Sequence, residues 1–152
     1  MPAAGQRVLA ADFTAAVTDS DATDHLNVAE GVVAGSPEVG VTFTAPTSGK
    51  AQVIIGARVR DDGAASTPVI DWQLFEDDTG GTEILGTGSE ERRMEIPIGS
   101  STRTFNGTKT ILVTGLTAGQ VYYARLMHGQ GAGGGATADV LHRQITVIPL
   151  PV

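Results

Sequence analysis

Val39-Gly40-Val41-Thr42-Phe43-Thr44 runs into Ala45-Pro46-Thr47-Ser48-Gly49 and then into Lys50-Ala51-Gln52-Val53-Ile54-Ile55-Gly56-Ala57-Arg58-Val59-Arg60. Before the Pro/Gly break, apolar residues take every second position, at Val39, Val41 and Phe43. After it they do so again, at Ala51, Val53, Ile55, Ala57 and Val59. A period of two is the spacing of a half-buried strand, and Pro with Gly marks a turn. The stretch therefore predicts two β-strands joined by a short turn, which sets the fold class.

Working outward, the same pattern recurs. Strands are predicted over 69–76, 83–86, 103–116, 120–128 and 137–148, with turns at Asp77-Asp78-Thr79-Gly80-Gly81 and Thr117-Ala118-Gly119. Pro149 and Pro151 end the last pairing, because proline lacks the N–H a ladder needs. Residues 1–35 are weaker in pattern, with short strands near 7–9 and 26–33 and one helical turn suggested by Leu9, Phe13 and Val17. About eight strands with frequent turns and no long helix predict an all-β sandwich or barrel. The predicted inward set is Val41, Phe43, Val53, Ile55, Ile70, Trp72, Leu74, Leu112, Tyr123 and Ile145. Apolar residues of opposite parity, Ile54, Val69, Phe75, Tyr122 and Leu126, are then predicted to face outward.

Composition narrows the function classes. The chain has 152 residues, suited to one domain, and a formal net charge of −7. An acidic chain repels phosphate backbones, so no nucleic-acid partner is expected. Arg58 and Arg60 alternate with apolar residues, as on a solvated sheet face, and Arg92-Arg93 follow Glu90-Glu91 directly. There is no cysteine, hence no disulfide and no thiolate zinc site. Nothing approaches the about 20 apolar residues of a membrane-spanning helix, so no membrane partner is expected. Met1-Pro2-Ala3-Ala4-Gly5 opens no signal peptide, which predicts a product made in the cytoplasm.

Several groups invite a chemical reading. Asp19, Asp21, Thr23, His25, Asn27 and Glu30 fall on the ligand positions of a calcium loop, but Asp24 stands where that loop needs Gly and no helix follows Glu30. His25, His128 and His142 are the histidines, and His128 and His142 lie on strands that would be neighbours. Asp139 falls on the opposite face from His142 in an ideal strand. No Gly-x-Ser-x-Gly elbow occurs. Glu83, Glu90, Glu91 and Glu95 offer carboxylate pairs without aromatic sugar platforms, and the Gly129–Gly135 run lacks the Lys-Ser/Thr of a phosphate loop. The expectation is no catalytic residue, no metal and no cofactor.

Phe43-Thr44-Ala45-Pro46, Ser48-Gly49-Lys50, the Trp-bearing Val69–Leu74, Thr110–Val113 and Ala118-Gly119-Gln120-Val121-Tyr122 resemble the trimeric jelly rolls of the complement and tumour-necrosis-factor superfamily. The opening Met1–Gly5, Val41–Gly49, Val113–Gly119, Tyr122–His128 and Ile145–Pro149 resemble small virion proteins of actinobacterial phages and prophages. Leu116–Tyr122 also resembles the tyrosine corner of fibronectin type III domains, which makes an immunoglobulin-like sandwich the alternative fold. The first two resemblances imply a homotrimeric jelly roll over 36–152 with a docking arm over 1–35. They imply a virion location and a non-enzymatic role as a capsid decoration or minor capsid protein, partnered by the major capsid protein or another virion protein. A tail-tip, baseplate or tail-fibre module, or an adhesin for a host-surface glycan, is the alternative. Candidate interface residues are Val8, Leu9 and Phe13 in the arm, and Ile54, Val69, Phe75, Tyr122 and Leu126 on the sandwich, with Phe75 and Tyr122 as anchors.

Overall fold

A computed structural model describes residues 15–61, 66–98, 103–131 and 137–151. Over these residues the chain forms eleven strands and no helix. They are β1 (Val17–Asp21), β2 (His25–Val28), β3 (Gly31–Val33), β4 (Gly40–Thr44), β5 (Ala51–Asp61) and β6 (Pro68–Glu76). Then follow β7 (Glu83–Leu85), β8 (Met94–Glu95), β9 (Thr104–Val113), β10 (Val121–Gln130) and β11 (Ala138–Pro149). Two antiparallel sheets result, one ordered β1-β11-β5-β9 with β2 also on β11, the other β4-β10-β6-β7 with β8 also on β6.

Eight strands build the two main ladders, and β2, β3 and β8 are short additions. Numbered along the chain, those eight are ordered first-eighth-third-sixth in one sheet and second-seventh-fourth-fifth in the other. Chain neighbours thus mostly sit in opposite sheets, as two interlocked Greek keys require, and the fold is a jelly roll. An immunoglobulin-like domain would keep its first two strands in one sheet. Here β1 and β4 lie in different sheets, so that alternative is excluded. No helix among the described residues is long and apolar enough to cross a membrane.

The quoted stretch folds as read. β4 and β5 bury Val41, Phe43, Ala51, Val53, Ile55, Ala57 and Val59, and Gly49 turns between them at φ +63°. Ile70, Trp72, Leu74 and Ile145 complete the predicted interior. Two predicted core residues are on the wrong face. Leu112 is 61% exposed, and Tyr123 is only partly buried. On β9, Ile111-Leu112-Val113 carries no parity of its own, and Ile111 with Val113 takes the inside. On β10, Arg125 shares the parity of Tyr123 and needs water or a partner, so Tyr122, Ala124 and Leu126 turn inward.

The division at residue 35 also moves. β1 pairs with β11 from Val17↔Val147 to Asp21↔Arg143, and β2 pairs with β11 beyond it. β3 lies across the outer face of the second sheet, where a Cβ on Gly129 would overlap the Gly31 carbonyl. Residues 17–33 are therefore part of the sandwich.

Candidate functional site

Four of the eight predicted interface residues are turned into their own chain. Tyr122 stacks on Phe43, ring centroids 5.8 Å apart, and its hydroxyl accepts the Thr117 backbone N–H at 3.0 Å. That is the tyrosine-corner contact, present here without the fibronectin fold. Leu126 is a fully buried core residue. Val69 is buried, and Phe75 is buried beneath the Arg125 guanidinium, 5.1 Å from the ring centre. Gln73 and Glu38 hold that guanidinium in place, and the Tyr123 hydroxyl donates to Glu38 at 2.6 Å. The guanidinium covers the ring face that an interface anchor would have offered to a partner. Ile54 alone of the five sandwich residues is partly open on an outer face. Val8, Leu9 and Phe13 lie outside the described residues.

Polar residues gather in two places. The first is inside the sandwich, along the edge closed by β1 and the 34–37 turn. Arg143 is 0% exposed there. Its guanidinium donates to Asp21 Oδ2 at 2.6 Å, to the Ala34 carbonyl at 2.7 Å and to the Pro37 carbonyl at 2.7 Å. It also lies 3.0 Å from His128 Nδ1. Since an arginine N–H can only donate, that ring nitrogen accepts. His25 Nε2 is 3.1 Å from Asp21 Oδ2, and the His25 and His128 rings are 4.7 Å apart. Burial and the Arg143 charge push the His128 pKa down to about 4. Burial pushes the Asp21 carboxyl up, but hydrogen bonds from Arg143, Thr23 and His25 outweigh it and hold the group well below the usual carboxylate range.

This edge corrects two expectations about histidine. His128 meets His25 inside the sandwich and not His142, which lies on an outer face opposite Arg58. A register shift between Val140 and His142 also brings Asp139 and His142 to the same face, against the ideal-strand reading. The calcium-loop residues are drawn apart. Asp19 accepts the Gly40 N–H, Asp21 faces Arg143, and Asn27 takes φ +54° with its N–H on Asp139. Among the described residues no three His, Asp or Glu side chains group as a metal site. Of the carboxylates considered as a pair, Glu95 is bound to Arg93 at 2.5 Å and Glu83 to Gln73 at 2.8 Å.

The second gathering is on the outer face of the first sheet, where register stacks side chains in rows. His142, Arg58 and Asn106 lie side by side across β11, β5 and β9. Gln144, Gly56 and Thr108 form the next row, then Thr146, Ile54 and Thr110. Beyond Arg58, Arg60 is clamped by Asp139 at 2.7 Å. Gly56 has no side chain, so the second row is a trough. The first row opens into a groove of about 510 Å³, walled by Ala22, Asp24 and Leu141, and the trough is a smaller hollow of about 130 Å³ beside it. Sequence reasoning saw Arg58 and Arg60 on a solvated face, but the partners in the row depend on pairing between distant strands.

No protein-family model matches the chain, and the search of curated proteins finds no match. Among solved structures the chain is similar to an Arthrobacter globiformis T6 isomalto-dextranase complexed with panose, at 15% identity and a TM-score of 0.40, over 79% of this chain and 18% of that one. It is similar to TmCBM61 in complex with β-1,4-galactotriose, at 13% identity and a TM-score of 0.32, over 91% of this chain and 90% of that one. It is similar to the CBM22-1 xylan-binding domain from Paenibacillus barcinonensis Xyn10C, at 10% identity and a TM-score of 0.31, over 88% and 94%. The chain spans under a fifth of the isomalto-dextranase. Likeness of this degree identifies no activity.

Proposed function

We propose that this chain is a non-enzymatic structural protein of a phage virion, a decoration or minor capsid protein bound to the assembled head. The observation that supports a non-catalytic role is how its buried ionisable groups are engaged. Asp21 and His128 are tied to Arg143, Asp71 accepts the Trp72 and Gly88 N–H groups, and Asp139 accepts from Asn27 and Arg60. Each holds backbone or a neighbouring strand, and a catalytic acid or base would need to face substrate. The virion assignment rests on the sequence resemblance. Docking to the shell falls to the stretch bearing Val8, Leu9 and Phe13. Self-association as a trimer falls to Ile54 with its diagonal neighbours Leu112 and Ile148, the apolar end of the first sheet's outer face.

Virions imaged with and without the protein test this reading. Density on the head supports it, density on the tail alone replaces it with the tail-module reading, and absence from particles overturns it. Light scattering should give a mass near three chains, and a monomer at high concentration would reject the trimer. A second reading, attachment to a host-surface glycan, is favoured by one observation, the open polar groove at Arg58 and Gly56. A glycan array without hits would remove it.

A further inference from the structure

The geometry points to the Arg58 groove as a binding site for a saccharide bearing one carboxylate, an inference that rests on the glycan reading and not on the virion one. Two arginines on the same face of β5 differ in their partners. Arg60 is neutralised by Asp139, which it meets through both Nε and Nη2. Arg58 is exposed and has no carboxylate partner among the described residues. Its neighbours in the row are the His142 imidazole and the Asn106 amide. The strands therefore present one guanidinium with polar groups on both sides, on a chain whose overall charge is −7. A guanidinium fork matches the two oxygens of a carboxylate.

Room for the rest of the ligand is the groove beside Arg58. In the next row Gln144 and Thr108 lean over Gly56, a low point of the sheet, and offer an amide and a hydroxyl to the edge of a ring seated there. A Cβ at Gly56 would lie 3.2 Å from both Gln144 Cγ and Thr108 Cγ2, so even a small side chain there would fill the hollow between them. Asp24, exposed at the groove's wall, sets the charge limit. A ligand charged along its length would meet that carboxylate, whereas one with a single acid seated at Arg58 would not. Hydroxyl-rich rings suit this lining, because Asn106, His142, Gln144 and Thr108 each offer a donor or acceptor beside the apolar Ala22 and Leu141.

The test is an NMR titration of the full chain with cellobiouronic acid, with cellobiose and sodium acetate as separate arms. Cellobiouronic acid should give saturable shifts at Arg58 Nε and at the Asn106 and Gln144 amides. Both comparison compounds should bind at least about tenfold more weakly, the scale of a charge-assisted hydrogen bond. Arg58→Ala should erase the preference for the acid with an unchanged β-sheet circular dichroism spectrum, and Gly56→Val should block both sugars. Shifts elsewhere, no saturation, equal binding of cellobiose or acetate, or an unchanged preference in Arg58→Ala would each overturn the inference. Loss of the protein from virions would not touch it, and failure here would leave the virion reading standing.

Discussion

The middle of the sandwich and its β1 edge stabilise the fold in opposite ways. In the middle, Val53, Ile55, Trp72, Leu74, Leu126 and Ile145 meet between the sheets as an apolar slab. Its stabilisation is proportional to area and only loosely dependent on geometry. Along the edge, Arg143 enters the same interior with Asp21 and His128, and every stabilising contact there is directional. Such a cluster holds particular segments together, here β1, β10, β11 and the 34–37 turn, and it fails when one member is removed. Five substitutions and a pH series separate the two regimes.

The largest loss is expected from Arg143→Leu. It leaves Asp21 ionised and nearly buried, and releases the Ala34 and Pro37 carbonyls. Breaking one side of a buried pair costs about 3–5 kcal/mol. Urea unfolding should show it, and the double variant with Asp21→Leu should regain part of the loss. If the single and double variants are equally destabilised, the pair is not coupled.

Leu126→Ala probes the slab. A buried Leu→Ala change costs about 2–5 kcal/mol, set by how far the walls collapse into the cavity. The same measurement separates its core position from the interface role read in the sequence. The oligomer mass should stay that of the parent, and a lost oligomer with unchanged stability would reverse the assignment.

Acid should act on the edge. The folded His128 pKa lies near 4, below the 6.5 of a free histidine. The unfolded chain therefore takes up a proton first as pH falls. Stability is complete above about pH 6.5 and declines down to about pH 4, by roughly 3 kcal/mol at about 1.4 kcal/mol per pH unit. Asp21, depressed in the folded state, adds a second loss below its unfolded value of 3.8. His128→Gln should flatten the decline between pH 6.5 and 4, and a variant that keeps the full slope would assign it to another group.

The smallest effect is expected from Tyr122→Phe. It removes only the acceptor for the Thr117 N–H and keeps the ring on Phe43. About 1 kcal/mol is the scale for one hydrogen bond. Thermal unfolding would register the shift, and a loss as large as that of Leu126→Ala would mean the hydroxyl does more than close the corner.

By itself the sequence determined the all-β class and the inward face of the cleanest strands, while the jelly-roll expectation came from the family resemblance. It did so wherever alternation was clean, because a period of two carries strand and face together, as at Val53, Ile55, Ile70 and Trp72. It named the corner at Tyr122 as a local motif, and a local motif fits more than one fold. Three things needed the tertiary structure. The face of a strand whose apolar residues run together, at Ile111–Val113, is chosen by the opposing sheet. The place of residues 17–28 in the first sheet is set by β11, more than a hundred positions away. The Arg143 edge and the Arg58 row join residues brought level by strand register, and register depends on the pairing of whole strands, which no short stretch of chain contains.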